Sequence, residues 1–280
     1  MLPGRCPEHL FVLPEMYASV GSSQDQRALG ADVLRRSRAV ASVLLLVGLA
    51  AGCAGHPAAS PAHVARTPRT TTPAPPPAVP LSALVATTLG AVPGSPSPGA
   101  PANSTVPAGW YGYPTILPVI ARQPGWLEVR LAQRPNQSTT WIPSGDVTLS
   151  STPYRIVINL TTEHLAVYRS GYQILDFPAG VGTTTDPTVP GSYFVTMIAP
   201  APNPGYGPFV IVTSEHSDTI SDWEQSGDAI MAIHGPIDSY DDSLIGTTGA
   251  RISHGCIRLH DSDLAQLAPI PVGTPIDIVS

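Results

Sequence analysis

The chain has 280 residues, of which 33 are proline and only 12% are charged. That length accommodates one sizeable domain plus extra segments, and the proline load implies that part of the chain never enters a packed core. A net charge of −6, the absence of lysine and the lack of any basic cluster argue against nucleic acid as a partner.

The chain divides by composition. Residues 1–52 read as a leader. Within it, "VLRRSRAVASVLLLVGLAAGC" (33–53) places Arg35, Arg36 and Arg38 before an apolar run from Ala39 to Ala51. A basic stretch followed by about 7–15 apolar residues is a secretory signal, too short for a comfortable membrane span. The run closes on Leu49-Ala50-Ala51-Gly52-Cys53, which resembles a bacterial lipobox with its leucine displaced by one position. Lipidation at Cys53 is the expectation, giving export and a membrane anchor. An ordinary cleaved signal peptide is the alternative. Residues 1–32 are an odd preface to such a signal, so a true start at Met16 or Val33 is expected. Cys6 would then be missing from the mature chain.

Residues 53–107 read as a linker, with 13 prolines between positions 54 and 107. Such a composition cannot bury a core and favours extended polyproline conformation. From 108 to 152, pieces such as "GWLEVRL" and "TTWIPSGDVTL" alternate with turn residues, suggesting a small SH3-like β module. An extension packed on the following domain is an equal reading, since some forty residues are few for independent stability.

From 153 to 280 the strand signals become regular. "YRIVINL" puts Tyr154, Ile156, Ile158 and Leu160 on one face. "HLAVYR" and "YQILDF" flank a two-residue turn at Ser170-Gly171. "GSYFVTMI", "PFVIVT", "AIMAIH" and "PIDIV" add further strands. One short helix is expected over "DSDLAQLA" (261–268), capped by Asp261 or Ser262 and stopped by Pro269. The fold class is therefore mainly β, a sandwich or barrel. The aromatic-bearing stretch 199–229, with Tyr206, His216 and Trp223, has the character of a loop over a site.

The densest chemistry is "ARISHGCIRLHDSDL" (250–264). With Cys53 lipidated, Cys256 stands alone in an exported protein. A cysteine attacks as its thiolate and needs a base or cation nearby. His254, two residues away on an extended chain, points to the opposite face. His234, ending "AIMAIH", can approach from a neighbouring strand, and the carbonyl of Gly235 can hold its tautomer. Gly255 permits a sharp turn. The N–H groups of residues 254–256 can form an oxyanion hole. Arg258 can bind a substrate carboxylate or buttress the loop.

"AIMAIHGP" followed by "IGTTGARISHGCIRL", with "GTPIDIV" at the end, resembles the L,D-transpeptidase catalytic domain of the YkuD type. The pattern is a histidine, a spacer, then Ser-His-Gly-Cys, an aliphatic residue and Arg. Here 18 residues separate His234 from Ser253, a slightly long spacer that holds the insert "PIDSYDD". In "DPTVPGSYFV", Val189 stands where the family has proline, and Tyr193 where it has phenylalanine. The resemblance covers 153–280. It implies a YkuD-type β-sandwich that cross-links bacterial peptidoglycan. Cys256 would be the nucleophile, His234 the base and Gly235 its orienting carbonyl. Ser253, His254 and Gly255 would shape the oxyanion loop, and Tyr206 with Arg258 would meet substrate. The implied partners are stem peptides, with carbapenem-type β-lactams as inhibitors. No metal or organic cofactor is implied. A monomer at the outer face of the cytoplasmic membrane is expected.

Five alternatives stand beside this reading. A zinc site from His254, Cys256 and His260, completed by Asp261 or Asp263, lacks a usual ligand spacing. Papain-like peptidases place cysteine before histidine, the reverse of the order here, and sortases place their arginine away from the cysteine. Within the family reading, water as acceptor would make an L,D-carboxypeptidase. A catalytically silent wall-binding scaffold is the non-enzymatic alternative.

Overall fold

The computed structural model describes residues 78–223 and 227–280. The leader, Cys53 and the linker up to residue 77 lie outside the described residues.

The first strand, β1 (Ala83–Thr88), already corrects the expected linker. It is followed by β2 (Val92–Gly94), β3 (Ser104–Val106), β4 (Gly109–Trp110) and β5 (Tyr113–Pro114). Then come β6 (Ile116–Gln123), β7 (Trp126–Arg130), β8 (Thr139–Pro143) and β9 (Val147–Thr152). Five of these form an antiparallel sheet in the order β8-β7-β6-β1-β9. β1 sits inside that sheet, paired on one edge with β6 and on the other with β9. Its neighbours therefore come from about 30 to about 70 residues downstream. Composition averaged over the proline-rich stretch hides a six-residue strand whose partners are that distant. The small unit thus begins well before residue 108.

The larger unit follows with β10 (Tyr154–Asn159), β11 (His164–Arg169), β12 (Tyr172–Pro178), β13 (Val181–Gly182) and β14 (Gly191–Pro200). After these come β15 (Phe209–His216), β16 (Ile230–His234), β17 (Arg251–Ser253), β18 (Ile257–Arg258) and β19 (Pro275–Val279). Eight of them make one sheet, ordered β12-β11-β10-β19-β14-β15-β16-β18. Ile156 and Leu165 from one end share a buried cluster with Ile233 and Ile257 from the other. The sheet therefore folds over itself as a sandwich. Register shifts in the β14–β15 and β15–β16 ladders provide the local bends. The alternation in β10 holds: Ile156, Ile158 and Leu160 are buried, with Tyr154 packed alongside. The β11–β12 hairpin turns through Ser170 and Gly171, both at positive φ, the geometry a two-residue turn between twisted strands requires.

Among the described residues, two α-helices are present rather than one. α1 (Ser239–Leu244) forms within the insert, with Asp238 capping it by accepting from the Asp241 amide at 2.9 Å. α2 (Asp261–Ala265) is shorter than expected, and its N-cap is His260, which makes no side-chain capping bond.

The two sheets share a core. Phe194, on β14, belongs to the apolar cluster of the small unit, beside Leu117, Leu127, Val129 and Ile142. Residues 108–152 thus pack on the sandwich.

Candidate active site

β16 and β18 run parallel and adjacent, with Ile233 opposite Ile257 and His234 opposite Arg258. Cys256 precedes β18 by one residue. It therefore stands level with Ala232, one pleat along from His234 on the same face. Both side chains line one pocket of about 100 Å³, together with Tyr206, Trp223, His254, Ile237 and Arg258.

His234 is buried, and its Nδ1 donates to the carbonyl of Gly235 at 2.6 Å. That bond fixes the proton on Nδ1 and leaves Nε2 with its lone pair. Burial pushes the imidazole down to about 4, against the Gly235 bond and with help from the Arg258 cation. Gly235 is itself crowded. A Cβ there would stand 2.5 Å from Asp261 Oδ1 and 2.8 Å from the Tyr206 carbonyl carbon. Its amide donates to the Tyr206 carbonyl at 2.8 Å, and the Tyr206 ring lies 4.7 Å from that of His234. The 3₁₀ turn Pro204–Tyr206 thus props the base from behind.

Cys256 is a free thiol, partly exposed as a residue but with its sulfur deeply enclosed. Burial pushes it up to about 11, outweighing a backbone hydrogen bond from Ala232 and the nearby Arg258 charge. Burial thus favours the neutral thiol and the neutral imidazole over their charged forms.

Ser253 fixes the loop before the cysteine. Its Oγ donates to the Cys256 carbonyl at 2.5 Å and accepts from the Gly255 amide at 3.1 Å. Gly255 sits at φ +116, where a Cβ would collide with Met231 Sδ; only glycine fits there. This bend corrects the expectation that His254 faces away from Cys256. The segment is not extended, and both residues line the same pocket. Because the Gly255 N–H is taken by Ser253, the oxyanion candidates among residues 254–256 reduce to the amides of His254 and Cys256.

Arg258 acts on the loop more than on open solvent. Its NH1 pairs with Asp241 and also donates to the Ile252 carbonyl at 3.0 Å. The buttressing alternative has the geometric support, although the guanidinium also borders the pocket. The three residues of the zinc rival separate: His260 bonds Asp242 and lines a different cavity. His254 instead meets the Trp223 ring at 5.2 Å. Among the described residues, no group of three or more His, Cys, Asp or Glu is gathered in a metal-binding arrangement.

Sequence reasoning missed three supports. Thr188 donates to the Gly255 carbonyl at 2.7 Å and accepts from the Gly182 amide at 2.9 Å. Glu215, fully buried, accepts from the Val189 amide at 2.6 Å. Asp241 neutralises Arg258. Glu215 alone left a signal, a carboxylate ending the apolar run "PFVIVTSEH".

A cysteine at the start of one strand and a buried histidine on the adjacent parallel strand, with the histidine's far nitrogen held by a carbonyl, have the arrangement of a Cys–His pair. Residues 153–278 match the family model described as the L,D-transpeptidase catalytic domain, YkuD, and this part of the chain belongs to that family. A putative L,D-transpeptidase YkuD from Bacillus licheniformis is 30% identical over 127 residues, 45% of this chain and 66% of that protein. The L,D-transpeptidase of Mycobacterium smegmatis aligns over 59% of this chain and 82% of its own, at 15% identity and TM-score 0.36. A cysteine-to-serine mutant of the Enterococcus faecium L,D-transpeptidase aligns over 45% and 49%, at 19% identity and TM-score 0.35. The chain thus spans about half the length of that last structure.

Proposed function

We propose that the protein is a peptidoglycan L,D-transpeptidase that forms 3→3 cross-links through an acyl-enzyme on Cys256. The observation that carries this reading is the shared pocket of Cys256 and His234, with Nδ1 of His234 committed to Gly235. Nε2 is then free to take the thiol proton as sulfur bonds to the carbonyl carbon of the third stem residue. The developing oxyanion meets the amides of His254 and Cys256. The C–N bond breaks, His234 returns the proton to the leaving amine, and D-alanine departs. An amine of a second stem then attacks the thioester, passing its proton to His234 as the thiol re-forms.

The signal and lipobox pattern ending at Cys53 supports export and anchoring at the outer face of the cytoplasmic membrane. The mass of the mature N-terminus tests that part of the reading.

For the chemistry, purified protein is mixed with a tetrapeptide-bearing muropeptide and, separately, with a carbapenem. We expect free D-alanine, a 3→3 dimer, and a covalent carbapenem adduct that is lost in Cys256→Ala. Tripeptide and D-alanine without dimer at any acceptor concentration would replace cross-linking with hydrolysis. Folded protein giving neither product nor adduct would leave only the scaffold reading.

A further inference from the structure

One wall of the catalytic pocket is not held by the catalytic domain alone. Trp223 lines the pocket and packs on His254. It belongs to the loop that follows β15, after His216. This loop has some bonds of its own: the Trp223 amide donates to the Asp228 carbonyl at 3.0 Å, and the Gly227 amide to Asp222 Oδ1 at 2.8 Å. It is also tied to the catalytic domain, where Thr219 Oγ1 donates to Asp186 Oδ1 at 3.0 Å and the Ser217 amide to the Ala229 carbonyl at 2.9 Å, and a further set of anchors comes from the small unit.

Arg134, in the turn between β7 and β8, divides its guanidinium among three acceptors. Nε donates to Asp228 Oδ1 at 2.8 Å, NH1 to the Ser217 carbonyl at 2.5 Å, and NH2 to the Ile220 carbonyl at 3.0 Å. Two residues on, Asn136 clasps the backbone of His216 from both sides. Its Oδ1 accepts from the His216 amide at 2.9 Å, and its Nδ2 donates to the His216 carbonyl at 2.7 Å. Asp228 Oδ2 also lies 2.7 Å from His216 Nδ1. Burial raises the Asp228 carboxyl, but His216, the Ala229 amide and Arg134 together bring it down to about 2. The carboxylate is thus charged and fixed. Tyr111 of the small unit is pushed up to about 12, first by burial and then by the Asp228 charge, which places it beside the same cluster.

We propose that Arg134 and Asn136 are positioning residues for the donor pocket. The small β unit serves to hold the 216–223 wall so that Trp223 stays against His254 beside Cys256. Lysine could keep the charge facing Asp228 but could not reach both carbonyls, since a single ammonium lacks the planar fork. The inference rests on the proposed transpeptidase reading for its kinetic consequence, but not for its structural one.

The test uses the full chain with Arg134→Ala, Arg134→Lys, Trp223→Ala and the double variant Arg134→Ala/Trp223→Ala. In hydrogen exchange, amides of 217–223 should exchange at least about tenfold faster in both Arg134 variants, with β10 and β11 unchanged. With a tetrapeptide donor, KM should rise about tenfold while kcat moves less than about threefold, the pattern of lost binding rather than lost chemistry. Arg134→Ala should add little to Trp223→Ala, because both act through one wall. Unchanged exchange in 217–223 in either folded Arg134 variant overturns the clamp. Faster exchange with unchanged KM, or multiplicative effects in the double variant, overturns its role at the pocket. If the wild-type protein turns over no donor, the transpeptidase reading fails and hydrogen exchange alone decides the clamp.

Discussion

At the residue scale, the neutral pair at the site has a kinetic signature. An imidazole held near 4 and a thiol near 11 bracket a wide range in which both groups keep their resting protonation. The rate of carbapenem acylation should be flat from about pH 5 to about pH 9 and fall on the acid side as His234 gains a proton. A bell with limbs near the ordinary histidine and cysteine values would contradict a buried, uncharged pair. Glu215 makes a second case. Burial raises its carboxyl to about 8, against the Val189 hydrogen bond, and its second oxygen has no hydrogen-bond partner among the described residues. Because its folded value lies above the unfolded one, its protonated form favours folding. That contribution is complete below about pH 4.5 and is lost as pH rises through about 8. Glu215→Gln keeps an acceptor for Val189 and removes the ionisation. Its melting temperature should match wild type near pH 4 and exceed it by several degrees at pH 8. An equal difference at both pH values would show that the carboxyl ionises alike in the folded and unfolded chain, with no shift from burial.

At the scale of elements, the catalytic loop depends on strands that do not contain it. Thr188, in the segment between β13 and β14, joins the Gly255 carbonyl to the Gly182 amide. Thr188→Val is nearly isosteric and leaves both groups buried without that partner, at a cost of about 1–3 kcal/mol. The loss should appear as lower stability in denaturant together with a lower kcat. A kcat equal to wild type would separate the Thr188 support from the chemistry. This support also marks where the sequence stops being informative. Cys256, His234, Gly235 and Gly255 were legible because their order and spacing along the chain carry the pattern. The face of Cys256 was judged from an extended backbone, and the bend at Gly255 made that judgement wrong for His254. Thr188, Glu215 and Asp241 arrive through register and loop packing, which leave no local trace in composition. β1 was lost for a related reason: its alternation is short, its partners lie far downstream, and prolines crowd its flanks. α1 hid in an insert too polar to show an apolar stripe, although Asp238 before it has the chemistry of a cap.

At the scale of the whole molecule, residues 78–280 have the cross-contacts of one cooperative unit rather than of two tethered modules. Phe194 projects from β14 of the sandwich into the cluster formed by Leu117, Leu127, Val129 and Ile142. Thr152 at the end of the small sheet sits 3.4 Å from Thr274 near the last strand, oxygen to oxygen. A Cβ added at Gly273 would press within 3.1 Å of the Val85 side chain on β1, so this part of the sandwich backbone lies close against the small sheet's side chains. Arg134 and Asn136 add polar bonds across the same boundary. A shared apolar core couples the stability of its parts, because neither can open without exposing the other's side chains. Calorimetry should therefore show a single transition with equal calorimetric and van't Hoff enthalpies. Phe194→Ala tests the coupling directly, since it leaves a cavity in the small unit by changing a residue of the sandwich. It should cost about 3–5 kcal/mol and lower that one transition while keeping it single. The loss of tertiary signal from Trp126 and Trp141, in the small sheet, should coincide with melting of the sandwich strands. Two resolved transitions in the wild-type protein, or a variant in which only the tryptophan signal shifts, would make the small unit an independent module. The wall beside Cys256 would then lose the fixed frame from which Arg134 holds it.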